Sequence, residues 1–129
     1  MILHAPFAGI PAGSKLFIAS PEIVAAAWSR IPYGRTRTIT RVRADLARRR
    51  GCDATCPASF AIFARIAAQA AVDAMAEGTP PEAVPPFWRM LRGSDRVAGK
   101  LDWGPPGGPL GRGWIDARRD LEAGAGAAS

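Results

Sequence analysis

The stretch ITRVRADLARRRGCDATCPASFAIFARIAAQAAVDAMAE, residues 39–77, decides the fold. Its first part carries apolar residues at the spacing of one helix face, namely Ile39, Val42, Leu46 and Ala47. This pattern predicts a helix over residues 39–50, and Gly51 is the residue type expected just beyond its end. A second helix is predicted over 58–77, after a short turn. Two helices joined in this way form a helix-turn-helix, a motif whose second helix enters the major groove of DNA.

The second helix is predicted to bury one face and to expose the other. The predicted buried stripe consists of Phe60, Phe63, Ile66, Ala67, Ala70, Ala71 and Ala74. The predicted exposed face carries Ala61, Arg65, Ala68, Gln69 and Val72. Arg65 and Gln69 are four residues apart and project together, and their side chains suit guanine and adenine respectively. Simple surface solubility is the alternative explanation for both residues.

Weaker patterns on either side complete the predicted fold. Ser20-Pro21-Glu22 begins a helix that ends near Arg30, with serine as cap and proline at the first helical position. Residues 35–38 are predicted to be extended, and Thr38 or Thr40 would cap the helix over 39–50. Thr55 or Ser59 would cap the next helix.

The region after the second helix is predicted to form a small β element. Residues 87–91 are predicted to form a strand and residues 97–103 a return strand, and a short last helix covers 114–121. The fold class is therefore mainly α with a small β wing, a winged helix-turn-helix. Residues 1–19 are expected to form an irregular N-terminal arm, 20–124 the winged-helix domain and 125–129 a flexible tail.

The charge balance favours nucleic acid as the partner. The 129 residues include 17 Lys and Arg against 11 Asp and Glu, which gives a net charge of +6. A strongly basic domain is typical of nucleic-acid binders, although arginine-rich codon usage would produce the same balance. The residues predicted to contact DNA in this region are Arg35, Arg37, Thr38, Arg41, Arg43, Ser59 and the run Arg48-Arg49-Arg50. For that run, a favourable charge at a helix C-terminus is an equally good explanation.

Other classes of protein receive little support from the composition. The N-terminus has no basic region and is interrupted by proline and glycine, so no signal peptide is predicted. No stretch is expected to span a membrane, and a cytoplasmic, nucleoid-associated protein follows. Cys52 and Cys56 have only His4 as a further nitrogen or sulfur ligand, so neither a metal site nor a cofactor is predicted.

Three segments resemble the DNA-binding domain of alkylguanine-DNA alkyltransferases. Residues 31–38, IPYGRTRT, are similar to the I-P-x-G-x-T-x-T-Y segment that opens that domain. Residues 86–91, PFWRML, followed by Gly93-Ser94-Asp95, are similar to P-C-H-R-V-V-G-S-D. Gly107-Gly108 and the later Leu121-Glu122 resemble the glycine pair and the Leu-Leu-x-x-Glu-Gly of its end. The resemblance spans about residues 21–124 and implies the winged helix-turn-helix fold of that C-terminal domain.

The departures from this family concern its chemistry. Phe87 stands where the transferases have the nucleophilic cysteine, and Trp88 stands where they have the activating histidine. Of the family's consecutive cysteine, histidine and arginine, only the arginine is present here, as Arg89. Arg89 is counted among the expected DNA-contacting residues. Ile39 replaces a tyrosine near the duplex, and Arg65 is the nearest candidate for the arginine finger. Alkyl transfer needs an activated thiolate, so the resemblance implies a protein without transferase activity.

Two related groups lack the transferase activity. Alkyltransferase-like proteins bind alkylated guanine and pass the lesion to other repair factors. A set of short relatives with the pattern T-I…T-C-P…I-F…I-A-A…P-x-W-R is more similar still. The resemblance to these relatives implies no particular activity for this chain. The matching residues are Thr38-Ile39, Thr55-Cys56-Pro57, Ile62-Phe63, Ile66-Ala67-Ala68, Pro86 and Trp88-Arg89.

Three functions follow as hypotheses. The first is a non-enzymatic binder of double-stranded DNA that recognises alkylated or distorted sites and works with repair factors, with Phe87 and Trp88 in a base pocket. Burial of both residues in the core is the alternative. The second is a winged-helix transcription regulator or general DNA binder. The third is a thiol enzyme that uses Cys56, whose place near a helix N-terminus favours the thiolate.

Overall fold

The computed structural model describes residues 1–106, 108 and 110–128. Gly107, which belongs to the resemblance, and Ser129, which belongs to the predicted tail, lie outside this part. The described helices are α1 (Pro21–Ser29), α2 (Ile39–Arg49), α3 (Pro57–Ala76), α4 (Arg96–Gly99) and α5 (Arg112–Ala128). The strands are β1 (Leu16–Phe17) and β2 (Ala54–Thr55), and 3₁₀ turns cover Pro81–Ala83 and Phe87–Arg89. The prediction of a mainly helical fold with a small β element is confirmed.

The ends of α1 and α2 follow the local sequence signals closely. The Ser20 hydroxyl accepts a hydrogen bond from the Ile23 amide at 3.2 Å and caps α1. The Thr38 hydroxyl accepts one from the Arg41 amide at 3.1 Å and caps α2. Gly51 follows the end of α2 with a φ of 64°, a conformation that glycine adopts without strain.

The start of α3 differs from the prediction. Cys56 is the N-cap residue and Pro57 the first helical residue, and no side chain caps this end. The hydroxyl of Thr55 instead donates to the Arg43 carbonyl at 2.7 Å, which ties the turn to α2. The predicted caps, Thr55 and Ser59, are therefore not caps, because the helix begins at Pro57 and the N-cap position falls on Cys56, between them.

The observed sheet lies at the arm and not at a wing. β1 from the N-terminal arm pairs in parallel with β2 from the turn between α2 and α3, with Leu16 opposite Ala54. Leu3 and Leu16 are buried and pack with Cys56 in a small cluster of their own. The arm is thus attached to the turn between α2 and α3, and its apolar residues cover the beginning of α3.

The strands predicted for a wing have a different structure. Residues 87–89 form a 3₁₀ turn, and residues 96–99 form α4. Phe87 and Trp88 are 0% and 1% exposed, so both side chains point inward, whereas adjacent strand residues point to opposite faces. In this 3₁₀ turn, by contrast, both neighbouring aromatic side chains point into the core. Residues 35–38 likewise form no strand, although the Arg37 amide donates to the Arg89 carbonyl at 2.9 Å.

Helix α3 is rotated about its axis relative to the prediction. Ala68 and Val72, predicted to be exposed, are 0% and 1% exposed, whereas Ile66, predicted to be buried, is 49% exposed. Ala70 is also exposed. Alanine is frequent on every side of this helix, so the apolar period does not select one face. Packing against α1 decides the orientation instead, and it buries the side that carries Ala64, Ala68 and Ala71.

The core centres on the aromatic residues that follow α3. The Phe87 ring lies 5.3–6.4 Å, centroid to centroid, from the rings of Trp28, Trp88, Trp103 and Trp114. Edge-to-face and tilted arrangements of this kind are favourable beyond the area they bury. The 3₁₀ turn at 87–89 therefore connects α1, α5 and the loop after α4.

Helix α3 has the length and mean hydropathy, 20 residues and 1.3, of a helix that could cross a membrane. This finding departs from the expectation that no stretch approaches a membrane span. It is weak evidence, because the core helix of a folded domain meets the same criteria, and α3 buries six residues against the rest of the chain.

Candidate nucleic-acid interface

Six arginines gather around the junction of α1 and α2. We name them the arginine cluster, and its members are Arg30, Arg37, Arg41, Arg48, Arg49 and Arg50. Two adjacent grooves of about 360 and 430 Å³ run between these side chains. The carboxylates that line the grooves are Asp45 and Glu22. Cations therefore outnumber anions by six to two at this surface.

Asp45 sits among three members of the arginine cluster. Its carboxylate accepts from Arg37 at 2.7 Å and from Arg41 at 3.0 Å, and it also contacts Arg48. Burial on its own would raise the pKa of Asp45, but the hydrogen bonds from Arg41 and Arg37 outweigh this, so the pKa lies below its ordinary value. Asp45 is therefore a charged anchor that fixes the direction of several arginines without neutralising the cluster.

Arg30 lies where burial and two neighbouring arginines disfavour its charged form. Its pKa is lowered from the ordinary value by partial burial, and then by the nearby charges of Arg49 and Arg50. A lowered pKa means that the charged guanidinium costs free energy where it stands. An anion placed in the groove would reduce that cost, and a backbone phosphate is an anion of suitable size and geometry for arginine.

The two residues predicted to contact bases, Arg65 and Gln69, have different environments in the structure. Arg65 is exposed on α3, as predicted. Gln69 is half-buried, and its amide is engaged: Nε2 donates to the Asp102 carbonyl at 2.9 Å and to the Asp73 carboxylate at 2.9 Å, and Oε1 accepts from the Asp102 amide at 2.8 Å. Gln69 thus holds the loop after α4 against α3 and has no free hydrogen-bonding edge for adenine.

Arg89 is placed inside the molecule. Its Nε donates to Glu122 Oε1 at 2.9 Å, and Nη1 donates to the Ile31 carbonyl at 2.9 Å. Its guanidinium also lies 5.5 Å from the centre of the Tyr33 ring. Arg89 therefore joins residues 31–33 to residues 87–89, two of the segments on which the family resemblance rests. All of these contacts are structural, and they leave the side chain 15% exposed.

Glu122 completes this arrangement and was missed by the sequence reasoning. The carboxylate is 3% exposed and accepts from Trp88 Nε1 at 2.9 Å as well as from Arg89 and Arg118. Burial would raise the pKa of Glu122, but the hydrogen bonds from Arg89 and Trp88 outweigh it and hold the pKa below its ordinary value. A glutamate directly after the predicted last helix gives no sequence signal of burial, since Trp88 and Arg89 lie more than 30 residues away.

Phe87 and Trp88 lie in the core, in agreement with the alternative to a base pocket. Phe87 is fully enclosed by other aromatic rings. Trp88 touches the floor of a surface pocket of about 300 Å³, but it is 1% exposed and its faces are covered by Trp114 and by the guanidinium of Arg118, 5.5 Å from the ring centre. Neither residue presents a ring face on which a flipped base would stack.

Cys56, Ser59 and Arg43 meet at the beginning of α3. Cys56 is 7% exposed and lies beneath Leu3 and Leu16 of the arm. Burial would raise the pKa of Cys56, but the adjacent Ser59 side chain, the first amides of α3 and the charge of Arg43 lower it below its ordinary value. The thiol therefore ionises more easily than an unperturbed cysteine, and the arm shields it from solutes. Ser59 and Arg43 are partly buried beside it, and the Arg43 Nε and the Ser59 hydroxyl are enclosed by the protein.

The remaining predicted contact residues lie in the loop before α2. Arg35 is exposed. Thr38 is exposed as well, but its hydroxyl serves the cap of α2. Among residues 1–106, 108 and 110–128, no three His, Cys, Asp or Glu side chains gather into a group that could hold a metal ion.

Comparisons with protein-family models, with curated proteins and with solved structures find no significant match. The resemblance to the alkyltransferases therefore rests on the quoted segments alone. The structure brings two of these segments together at Arg89, and it gives the third a place beside them through Glu122.

Three further cations were missed among the candidates for contact with a partner. Arg30 had been assigned only as the end of α1, yet it lies at the centre of the arginine cluster. Arg96 and Lys100 are exposed beside α3, because residues 96–99 form a helix there and not the predicted strand. Charge alone singles out none of these residues in a chain with 17 Lys and Arg.

Proposed function

We propose that this protein binds double-stranded DNA without catalysis and that the arginine cluster is the surface that contacts the phosphates. The proposal rests on one observation, namely that six guanidinium groups but two carboxylates line one pair of grooves. Arginine binds phosphate through a rigid fork of N–H donors, so this surface suits a DNA backbone better than a lysine-rich one would.

In this proposal α2 and α3 act as a helix-turn-helix. The short 3₁₀ turn and α4 would occupy the place of the wing of a winged helix. Arg65 is the exposed residue of the predicted pair on α3 and is the candidate for a contact with a base or a nearby phosphate. The resemblance to the alkyltransferase family supports the choice of DNA over other polyanions.

The binding should be mostly electrostatic. Each phosphate that an arginine neutralises releases a condensed counterion, so the affinity falls steeply as the salt concentration rises. The buried positions of Phe87 and Trp88 remove the groups expected to read a flipped base, so general duplex binding is favoured over lesion recognition.

The test is fluorescence anisotropy with a labelled duplex at several salt concentrations. The variant Arg48→Ala/Arg49→Ala removes two exposed members of the arginine cluster and leaves Arg37 and Arg41 on Asp45. It should weaken binding by about tenfold or more and reduce the slope of log affinity against log salt by about 2.

The matched control is Lys15→Ala/Arg92→Ala, which removes two exposed charges outside the arginine cluster. It should change affinity by no more than about twofold. Failure of the wild-type chain to bind any duplex at low salt would reject the proposed function. An equal loss in the control would show that net charge, and not this surface, determines binding.

A further inference from the structure

A second groove lies between α3 and α4, on the other face of the predicted recognition helix from the core. We name it the α3–α4 groove, and its volume is about 600 Å³. Ile62 and Ile66 form one wall, and Val97 of α4 lies within the same groove. The two isoleucines are 59% and 49% exposed, one helical turn apart. Two large aliphatic side chains left in water at adjacent turns are typical of a surface that another molecule covers.

The rim of the groove is cationic. Arg65, Arg96 and Lys100 line it, and all three are exposed. Within the described part of the chain, none of these side chains has an ion-pair partner. The acid that lines the groove is Asp73, and its carboxylate already accepts a hydrogen bond from Gln69. The groove therefore offers an apolar floor with an excess of positive charge at its edges.

The groove is held open by contacts of its own. Gln69 forms two hydrogen bonds with the backbone of Asp102, 2.9 Å to the carbonyl and 2.8 Å from the amide. Ala98 of α4 is fully buried against the core. These contacts fix α4 and the following loop relative to α3, so a ligand would find the site largely formed and would lose less free energy in ordering it.

We propose that the α3–α4 groove binds an acidic amphipathic helix of a partner protein. The apolar side of such a helix would contact Ile62, Ile66 and Val97, and its carboxylates would meet Arg65, Arg96 and Lys100. DNA fits this groove less well, because the major groove offers thymine methyls as its main apolar surface. A bilayer is also a poorer fit, because its surface is flat and the site is concave. The inference does not depend on the arginine cluster as a DNA surface, but it competes with the proposed DNA contact of Arg65, because both would use the same face of α3.

The test uses a fluorescein-labelled synthetic helix of about five turns, with leucines at helical spacing on one side and glutamates beside them. A second peptide carries lysines in place of the glutamates. The full-length protein should bind the glutamate peptide at least about tenfold more tightly than the lysine peptide in an anisotropy titration. Reversing the rim charges with Arg96→Glu/Lys100→Glu should invert this preference.

The apolar floor is tested by Ile62→Ser/Ile66→Ser, which should weaken binding of the glutamate peptide by about tenfold or more. The control Leu121→Ser removes a leucine of similar exposure, 57%, from α5 and should leave binding unchanged. Thermal unfolding of each variant checks that the fold is retained, which is expected because all of these side chains are exposed.

Several outcomes would overturn the inference. They include no binding of either peptide, equal binding of both, and loss of binding in the Leu121→Ser control. A large loss of duplex affinity in Ile62→Ser/Ile66→Ser would assign the groove to DNA instead. If the wild type is a dimer in light scattering and Ile62→Ser/Ile66→Ser is a monomer, the groove binds a second copy of the chain instead. If the wild type binds anionic phospholipid vesicles and this variant does not, the groove contacts a membrane surface instead. If the arginine-cluster test fails while the peptide test succeeds, the proposed DNA function is rejected and the proposed peptide binding by the groove is retained.

Discussion

Single residues in this protein act mainly through the partners that the fold brings to them. Arg89 is the clearest case, since the same guanidinium that a sequence comparison assigns to DNA is bound by Glu122 and by the Ile31 carbonyl. Gln69 is a second case, with both ends of its amide engaged by Asp102. In both, the residue type allows a contact with DNA, and the intramolecular contact has taken its place.

Replacement of Glu122 by Gln is expected to lower the free energy of unfolding by about 3–5 kcal/mol, because it leaves the charge of Arg89 buried without an anion. The measurement is urea unfolding at neutral pH. The control Glu82→Gln changes an exposed carboxylate that pairs with Arg118, and it should stay within about 0.5 kcal/mol of the wild type. A loss for Glu122→Gln as small as that of the control would contradict a structural role for the buried ion pair.

The same carboxylate predicts a pH dependence. The pKa of Glu122 in the folded protein is below its ordinary value of 4.5, so its contribution to stability is complete above that pH and is lost as the pH falls through the folded pKa. Acid unfolding of the wild type should therefore show a loss of stability below about pH 4.5 that Glu122→Gln lacks. Parallel curves for the two proteins would count against this assignment.

Cys56 and Cys52 are expected to differ in reactivity. Cys52 is half-buried in the turn, whereas Cys56 is covered by the arm even though its lowered pKa favours the thiolate. In a time course with iodoacetamide followed by mass spectrometry, Cys52 should be modified at least about tenfold faster. Leu16→Ala, which loosens the arm, should speed modification of Cys56 and leave Cys52 unchanged. Rapid modification of Cys56 in the wild type would show that the arm does not protect it.

At the scale of the elements, α3 shows how much of a helix its neighbours decide. Its existence and its end near Gly78 follow from the sequence, and its length of 20 residues agrees with the predicted span. Its orientation does not follow, because alanines occur all around it. The packing of α1 selects the face with Ala68 and Val72, and it leaves Ile62 and Ile66 on the outside.

A pair of matched substitutions tests that orientation. Ala68→Gln places a long polar side chain in a fully buried position and should lower the free energy of unfolding by about 3 kcal/mol or more, through overpacking and the burial of an amide. Ala70→Gln places the same side chain in an exposed position and should change it by less than about 0.5 kcal/mol. Chemical unfolding of both variants provides the comparison, and the reverse order would restore the face predicted from the sequence.

At the scale of the whole molecule, the arm, the pair α2–α3 and the aromatic core are linked into one arrangement. β1 binds the arm to the turn before α3, and the Phe87–Arg89 turn links α1, α5 and the loop before α2. The consequence is a closed core next to two separate open surfaces, the arginine cluster and the α3–α4 groove.

Under the proposed function, this arrangement predicts the relative affinity of the protein for damaged and undamaged DNA. Because Phe87 and Trp88 are enclosed, a duplex that contains one O6-methylguanine should bind with the same affinity as the unmodified duplex, within about twofold. Competition titrations with the two duplexes measure the ratio. A clear preference for the modified duplex would mean that the core opens on binding and would restore the lesion-recognition hypothesis.

The sequence by itself determined the positions of α1, α2 and α3, the caps of α1 and α2 and the basic character of the chain, because these depend on residues within a few positions of one another. Ser20, Thr38 and Gly51 are such local signals, and each is found where it was predicted. Only the tertiary structure decided that residues 87–89 turn inward, that Gln69 and Arg89 are engaged within the protein, and that α3 exposes Ile62 and Ile66. Each of these outcomes depends on packing partners far away in the sequence, and no local pattern of residues carries that information.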